Sequence, residues 1–373
     1  MDPTIRRLVA GRWRGIGLTA LALAGLGCIS QQPAPVAVQA SRMRVLDGFE
    51  RQFTRPIIHE KRLVAPSCFR EDGGLGFFKL KGDSPPRMRR IQLDERTWNA
   101  KVAGRGGDTW WIRTCDRRWL VLDKGLNVRK TPSFPEVDSL HPPIVLDGRA
   151  VVYGYAGIQA TGTESAFLFE LTEQGDCVPI LEYSSGADEL RRVRESQWHN
   201  VLGGGLGRSP DDGFAFTDPR DFRIYIYDRN AVLQRVIDGA NPRWRPPEWS
   251  AVEPATPDPE TEDAWWMWGF NQITPKAPVF LDTEHIAVLV GYPSAGGMGQ
   301  SLELDVYRID GTVVAAGVPV PQIEGVGQLF VVPRTDPMPG NEIVVSIEPV
   351  LPYPLYAKKS PPEIWSIKVT MSE

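Results

Sequence analysis

One template recurs along this chain and limits what it can become. The stretches RRWLVLDKGLNVRK (117–130), SAFLFELTEQGDCVPI (165–180), FRIYIYDRNAVLQRV (222–236) and LELDVYRIDGTVVAA (302–316) each read as an alternating apolar strand, a short polar turn and a second strand. The turns carry Asp123/Gly125, Gly175/Asp176, Asp228/Asn230 and Asp310/Gly311, residue types that tolerate tight turns and positive φ. Period-two alternation bounded by such turns is a hairpin signal. A further apolar run precedes each hairpin: DTWWIRT (108–114), RAVVYGYA (149–156), DGFAFTD (212–218) and HIAVLVGY (285–292). NEIVVSIEPV (341–350) pairs with EIWSIKVT (363–370), and LGFFKL (75–80) with RMRRIQL (87–93), giving six such units. Helical periodicity is confined to GADELRRVRES (186–196).

A meander of three or four strands cannot bury both of its faces alone, so neighbouring meanders stack radially. The expected fold is all-β, a β-propeller of six blades, with seven as the alternative, over residues 43–373. N- and C-terminal strands close the ring, and MRVLDGFE (43–50) is the candidate closing strand. The stretch SPDDGFAFTDPRDFRIYIYDRNAVLQRVIDG (209–239) resembles a blade of bacterial six-bladed propellers of the NHL/TolB-like kind. That resemblance implies the architecture and no particular activity.

The N-terminus carries Arg6, Arg7, Arg12 and Arg14, then an uncharged stretch from Gly15 to Gly27. This is a signal peptide in outline, too short to span a bilayer comfortably. The segment LALAGLGC resembles a bacterial lipobox, which implies cleavage after residue 27 and lipidation of Cys28, palmitate included. Residues 28–42 read as a flexible tether. Ile29 in place of aspartate implies, by resemblance to lipoprotein sorting, an outer-membrane destination in the bacterial cell envelope. No later apolar run is long enough to cross a membrane.

Loss of residues 1–27 removes four arginines and one aspartate, taking the formal net charge from −4 to −7. An acidic chain with interspersed charges is not built for nucleic acid. The mature cysteines other than Cys28 are Cys68, Cys115 and Cys177; in an exported protein these allow one disulfide and one free thiol, and spacing does not choose the pair.

Motifs for catalysis or metal are absent from the sequence. His59, His141, His199 and His285 are scattered, without ligand spacing. GYPSAGG (291–297) is not a nucleophile elbow. GGGLGRSP (203–210) lacks the lysine of a phosphate loop and reads as a turn into a strand. No cofactor and no metal are implied. Trp110 and Trp111 are neighbours that must face opposite sides of a sheet. RMRR (87–90) reads as a solvated strand face.

The strongest anomaly is aromatic. Trp244, Trp249, Trp265, Trp266 and Trp268 flank a proline-rich acidic stretch within an insertion at about 240–275. They are candidate ligand-binding residues, since indole faces suit sugars and cations; equally, they are candidate cement between blades. The expected function is a non-enzymatic, lipid-anchored propeller that binds an envelope protein or glycan. Two alternatives stand beside it: a lactonase-like propeller hydrolase with a channel-centred metal, and a carbohydrate or peptidoglycan binder that uses the tryptophan segment.

Overall fold

The computed structural model describes residues 36–46, 55–67, 74–82, 84–93, 96–98, 100–139, 141–162, 165–182, 203–247, 272–293, 300–321, 323, 328–335, 340–348 and 361–372. The described chain belongs to one compact unit, Pro35–Glu373. Six of its antiparallel sheets are each the blade of a propeller, with the innermost strand named first below, and Ile91–Leu93 pairs with Arg96–Trp98 in a separate two-stranded sheet. Blade 1 is Ile57–His59, Arg62–Ser67, Gly74–Lys79 and Arg87–Arg89. Blade 2 is Ala100–Gly106, Thr109–Thr114, Trp119–Leu122 and Val128–Lys130. Blade 3 has a split inner strand, Val137–Asp138 and Ile144–Leu146, followed by Arg149–Ala156, Ala166–Leu171 and Cys177–Glu182. Blade 4 is Gly205–Arg208, Phe214–Asp218, Arg223–Tyr227 and Leu233–Asp238. Blade 5 splits its inner strand into Thr274–Pro275 and Val279–Phe280, and continues with His285–Pro293, Gln300–Arg308 and Val313–Pro319. Blade 6 is Gln328–Val331, Glu342–Glu348 and Glu363–Met371, with Val36–Val45 outermost.

The ring therefore closes on a strand from the N-terminal end, as the sequence predicts, but the strand begins further upstream. Val36 pairs with Met371, Ala40 with Ile367 and Val45 with Glu363. Residues 36–42, read above as tether, are strand; of the expected 43–50, only 43–45 belong to it, and 47–50 lie outside the described residues. The reason is a sparse apolar signal. Only Val36, Ala40 and Arg44 of this strand are buried at their side chains. Arg44 is held over the Phe78 ring at 4.5 Å and donates to Lys79 O at 2.6 Å and Ser84 O at 3.1 Å. Signal peptide, Cys28 and residues 29–35 lie outside the described residues.

Burial lies between blades. The buried apolar residues fall into six clusters, and each spans two neighbouring blades. Trp110 packs with blade 1 residues such as Leu75, whereas Trp111 packs with blade 3 residues such as Val152. The two indoles do face opposite sides of their strand, and both serve seams. Full burial of side chains this large stabilises by several kcal/mol each, on the order of 25 cal/mol per Å² of apolar area.

The hairpin turns repeat one device. Asp123 Oδ1 accepts the Gly125 N–H at 2.8 Å and Asp228 Oδ1 the Asn230 N–H at 2.8 Å; Asp310 Oδ1 accepts the Thr312 N–H at 2.8 Å. An aspartate that bonds its own backbone two residues on fixes the tight turn. Arg87, Arg89 and Arg90 are exposed, as a solvated strand face requires. The one described helix is a single turn, Ile158–Thr161; the helical candidate 186–196 is outside the described residues, and no described helix is long and apolar enough to cross a membrane. Cys115 is disulfide-bonded. Among the described residues Cys177 is a free thiol, and burial pushes its pKa up to about 12.

Candidate functional site

Inner strands of neighbouring blades touch around a central channel, and parallel bridges Ile58–Arg334 and Gly204–Lys276 tie two of the seams. Against these strands, residues of five of the six blades line a cavity of about 480 Å³, counted with the solvent at its mouth. Its walls include Leu206, Leu329, Phe330 and Val331, and its polar side chains are Arg55, His141 and Lys276. Among the described residues no aspartate or glutamate lines it.

Each basic residue is positioned by local structure. Lys276 stands between Pro275 and Ala277, at the break in blade 5's inner strand, and its N–H donates to Leu289 O at 2.8 Å. Only 3% of it is exposed. Nζ donates to Thr274 Oγ1 at 2.7 Å and to Gln300 Oε1 at 2.9 Å, both buried. An ammonium has three N–H donors; the third meets no protein acceptor among the described residues. Burial first, and then the Arg55 charge, lower the Lys276 pKa to about 7.

Arg55 immediately precedes blade 1. Its guanidinium stacks on the Phe330 ring at 3.8 Å from the centroid, and Nη1 lies 3.0 Å from His141 Nδ1. His141 is set by the turn before blade 3. Ser139 Oγ donates to Tyr153 O at 2.7 Å and accepts the His141 N–H at 3.0 Å. The Tyr153 ring sits 4.5 Å from the His141 ring, and its hydroxyl donates to Gly203 O at 3.2 Å. Burial holds the Tyr153 hydroxyl well above the usual range for a phenol.

The glycine run 203–205 makes the room. Gly204 and Gly205 have φ of +72° and +133°, which disfavour any side chain. A Cβ on Gly205 would stand 2.9 Å from Ala277 Cβ, and one on Gly203 would stand 3.6 Å from Lys276 Nζ. The run is a turn into a strand, as its sequence suggests, and it is also a wall of the cavity.

The basic character extends to blade 2. Lys101 on its inner strand has a pKa lowered to about 8 by burial and then by Arg113, with Arg117 and Arg55 acting the same way against Asp138. Arg113 is fully buried, with Nη2 2.7 Å from Asp138 Oδ1 and Nη1 donating to Ser139 O at 3.0 Å. Further along the inner strands lies a second cavity of about 440 Å³ lined by Arg208, Arg334 and Glu342. There Arg208 is committed to Thr335 O at 2.7 Å and Asp212 Oδ1 at 2.9 Å.

The residues singled out from sequence fall elsewhere. Trp244 is partly buried on the seam of blades 4 and 5, its ring 5.9 Å from that of Phe222, and it does not line the cavity. Trp249, Trp265, Trp266, Trp268 and Cys28 lie outside the described residues. Of the histidines, His141 reaches the cavity, while His59 is buried against Thr335 Oγ1 at 2.9 Å. Sequence reasoning missed Arg55 and Lys276. One signal was available: a lysine in the apolar, proline-flanked segment TPKAP (274–278) has no wet face to occupy. Among the described residues no three His, Cys, Asp or Glu side chains converge as metal ligands.

No family model and no curated protein sequence matches the chain. Among solved structures it is similar to a DUF4221 family member from Bacteroides vulgatus, at 8% identity and a TM-score of 0.50, over 90% of this chain and 97% of that one. It also aligns with a calcium-binding regucalcin from Agrobacterium tumefaciens, at 14% identity and a TM-score of 0.44, over 88% and 95% of the two chains. The first likeness supports the fold and nothing finer.

Proposed function

We propose that this protein is a ligand-binding propeller module held at the bacterial cell envelope by a lipid on Cys28. The observation that carries the binding reading is the cavity at the channel mouth. Its walls are apolar, and charged side chains are buried in it at a few converging points, the usual build of a small-molecule site. The lactonase-like alternative draws no support there, because lysine and arginine stand where a divalent cation needs oxygen ligands. The carbohydrate reading of the tryptophan segment likewise draws none from Trp244, which is packed on a seam.

Anchoring and sorting to the outer membrane rest on the N-terminal sequence, and kinship with NHL/TolB-like propellers on the 209–239 blade. The closing strand adds a constraint to this reading. It starts at Val36 on the outer edge of blade 6, so a lipid on Cys28 leaves residues 29–35 as the link. Seven residues reach at most about 25 Å, which holds the disc close to the bilayer. Cys28→Ala should abolish palmitate labelling and release the protein from the membrane fraction; label retained by the variant would end the anchor reading. For the cavity, a screen of small neutral and charged organic fragments by ligand-observed NMR should give binders that Leu206→Trp, which fills the wall, no longer holds. A screen without binders, or binders indifferent to that substitution, would remove the binding reading.

A further inference from the structure

We propose that the cavity at the channel mouth takes a small organic carboxylate with an apolar body, its carboxylate seated at Lys276 Nζ. The inference rests on the reading of this cavity as a binding site and names the chemistry of what it binds.

Three observations carry it. First, Lys276 is almost wholly buried, and its two partners, Thr274 and Gln300, are neutral. They orient Nζ and leave one N–H for another acceptor. A buried ammonium without an anion nearby is costly, and an anion that arrives from outside removes that cost. Second, Arg55 is buried and fixed in place by Phe330 below its plane and His141 at its edge. Its positive charge acts on Lys276 and adds to the attraction of the cavity for an anion. Third, the rest of the wall is Leu206, Leu329, Phe330, Val331 and prolines. Such a wall suits a hydrocarbon or aromatic body and leaves a bare phosphate without enough donors. Gly203, a bare backbone beside Nζ, keeps the approach to the lysine open.

Among the described residues, the groups that face Lys276 are Thr274 on its own strand, Gln300 on the third strand of blade 5, Gly203 on blade 4, and Arg55 ahead of blade 1. His141 lines the same cavity from blade 3. Arg55 stays charged throughout, and Lys276 gains its proton near neutral pH. A bound carboxylate favours the protonated lysine. Affinity should therefore be greatest below the pKa of about 7 and fall as pH rises above it.

The test is calorimetry and ligand-observed NMR on the purified full chain with four probes: benzoate, hexanoate, inorganic phosphate and the neutral benzamide. Benzoate and hexanoate should bind at pH 6, with benzamide and phosphate weaker by at least about tenfold. Lys276→Met should weaken benzoate by at least about tenfold while the fold persists. In the native chain benzoate binding should weaken between pH 6 and pH 9, and in the variant that dependence should shrink. The native pH profile needs no variant, so it stands even if Lys276→Met misfolds. Benzamide equal to benzoate, or a variant that binds benzoate as well as the native chain, overturns the anion assignment while the cavity remains a site. Phosphate as the tightest probe overturns the choice of a carboxylate. Binding by none of the four overturns this proposal, and neutral fragments then decide whether the cavity binds anything.

Discussion

The third strand of blade 5, Gln300–Arg308, serves two regions that bury opposite charge. At its start Gln300 supports Lys276 in the channel. Three residues on, Glu303 and Asp305 face the segment 240–243 that leads away from blade 4. Asp305 has no exposed surface, yet it is fully engaged: Oδ1 accepts from Gly317 N at 2.8 Å and Asn241 Nδ2 at 3.2 Å, and Oδ2 from the Tyr307 hydroxyl at 3.0 Å. Glu303 accepts from Asn241 Nδ2 at 3.0 Å and Arg243 Nη1 at 3.2 Å. Tyr307 in turn accepts the Ala240 N–H at 2.8 Å. Burial raises the Asp305 pKa, and these hydrogen bonds oppose it. The carboxylates thus weld a connecting segment to the blade, every oxygen having a donor. Lys276 has neutral partners, a like-charged neighbour in Arg55 and a spare N–H. A buried charge that the fold has satisfied is structural; one left with a donor facing a cavity is available to a ligand.

Mutation should separate the two regions by sign. The largest effect is expected at the carboxylates. Asp305→Ala strands the donors of Gly317, Asn241 and Tyr307 in a dry place and should cost about 3–5 kcal/mol in urea unfolding. A cost below about 1 kcal/mol would break the comparison, because the network would then be dispensable. The smaller effect, of opposite sign, is expected in the channel. Lys276→Met replaces a poorly compensated charge with a side chain of similar length, and Gln300 Nε2 already donates to Thr274 Oγ1 at 3.4 Å, so the two former partners keep each other. Stability at pH 7 should rise by about 1–4 kcal/mol.

The contrast also explains what could be read from the sequence. The second and third strands of the blades showed themselves because one face of each alternates cleanly, as in RAVVYGYA and FRIYIYD. The inner strands did not. Ile57–His59 and Gly205–Arg208 are short, and Thr274–Pro275 is cut from Val279–Phe280 by the lysine itself. Without a wet face they have no alternation to betray them, and the candidate site is built on them. Glu303 and Asp305 alternate with Leu302 and Leu304 as the solvent side of a strand would, and the chain at 240–243 is what buries them. Residues 36–42 passed for tether because Ala40 and Ser41 are small and Arg42 looks solvated, although Val36 and Ala40 are buried. The tryptophan cluster drew notice by composition, which says nothing about which seam Trp244 would join.

The most direct measurement is the urea unfolding free energy of the native chain and of Lys276→Met between pH 6 and pH 10.5. In the fold Lys276 releases its proton near pH 7, whereas in the unfolded chain a lysine holds it to the model value of 10.5. The unfolded state therefore binds more protons across that window, and the native chain gains stability as pH rises through it. The variant should be the more stable by its full margin at pH 7 and below, with the gap closing towards pH 10.5. A variant less stable than the native chain at pH 7, or a gap that does not change with pH, would contradict the claim that Lys276 is held in the channel without a counter-charge among the described residues.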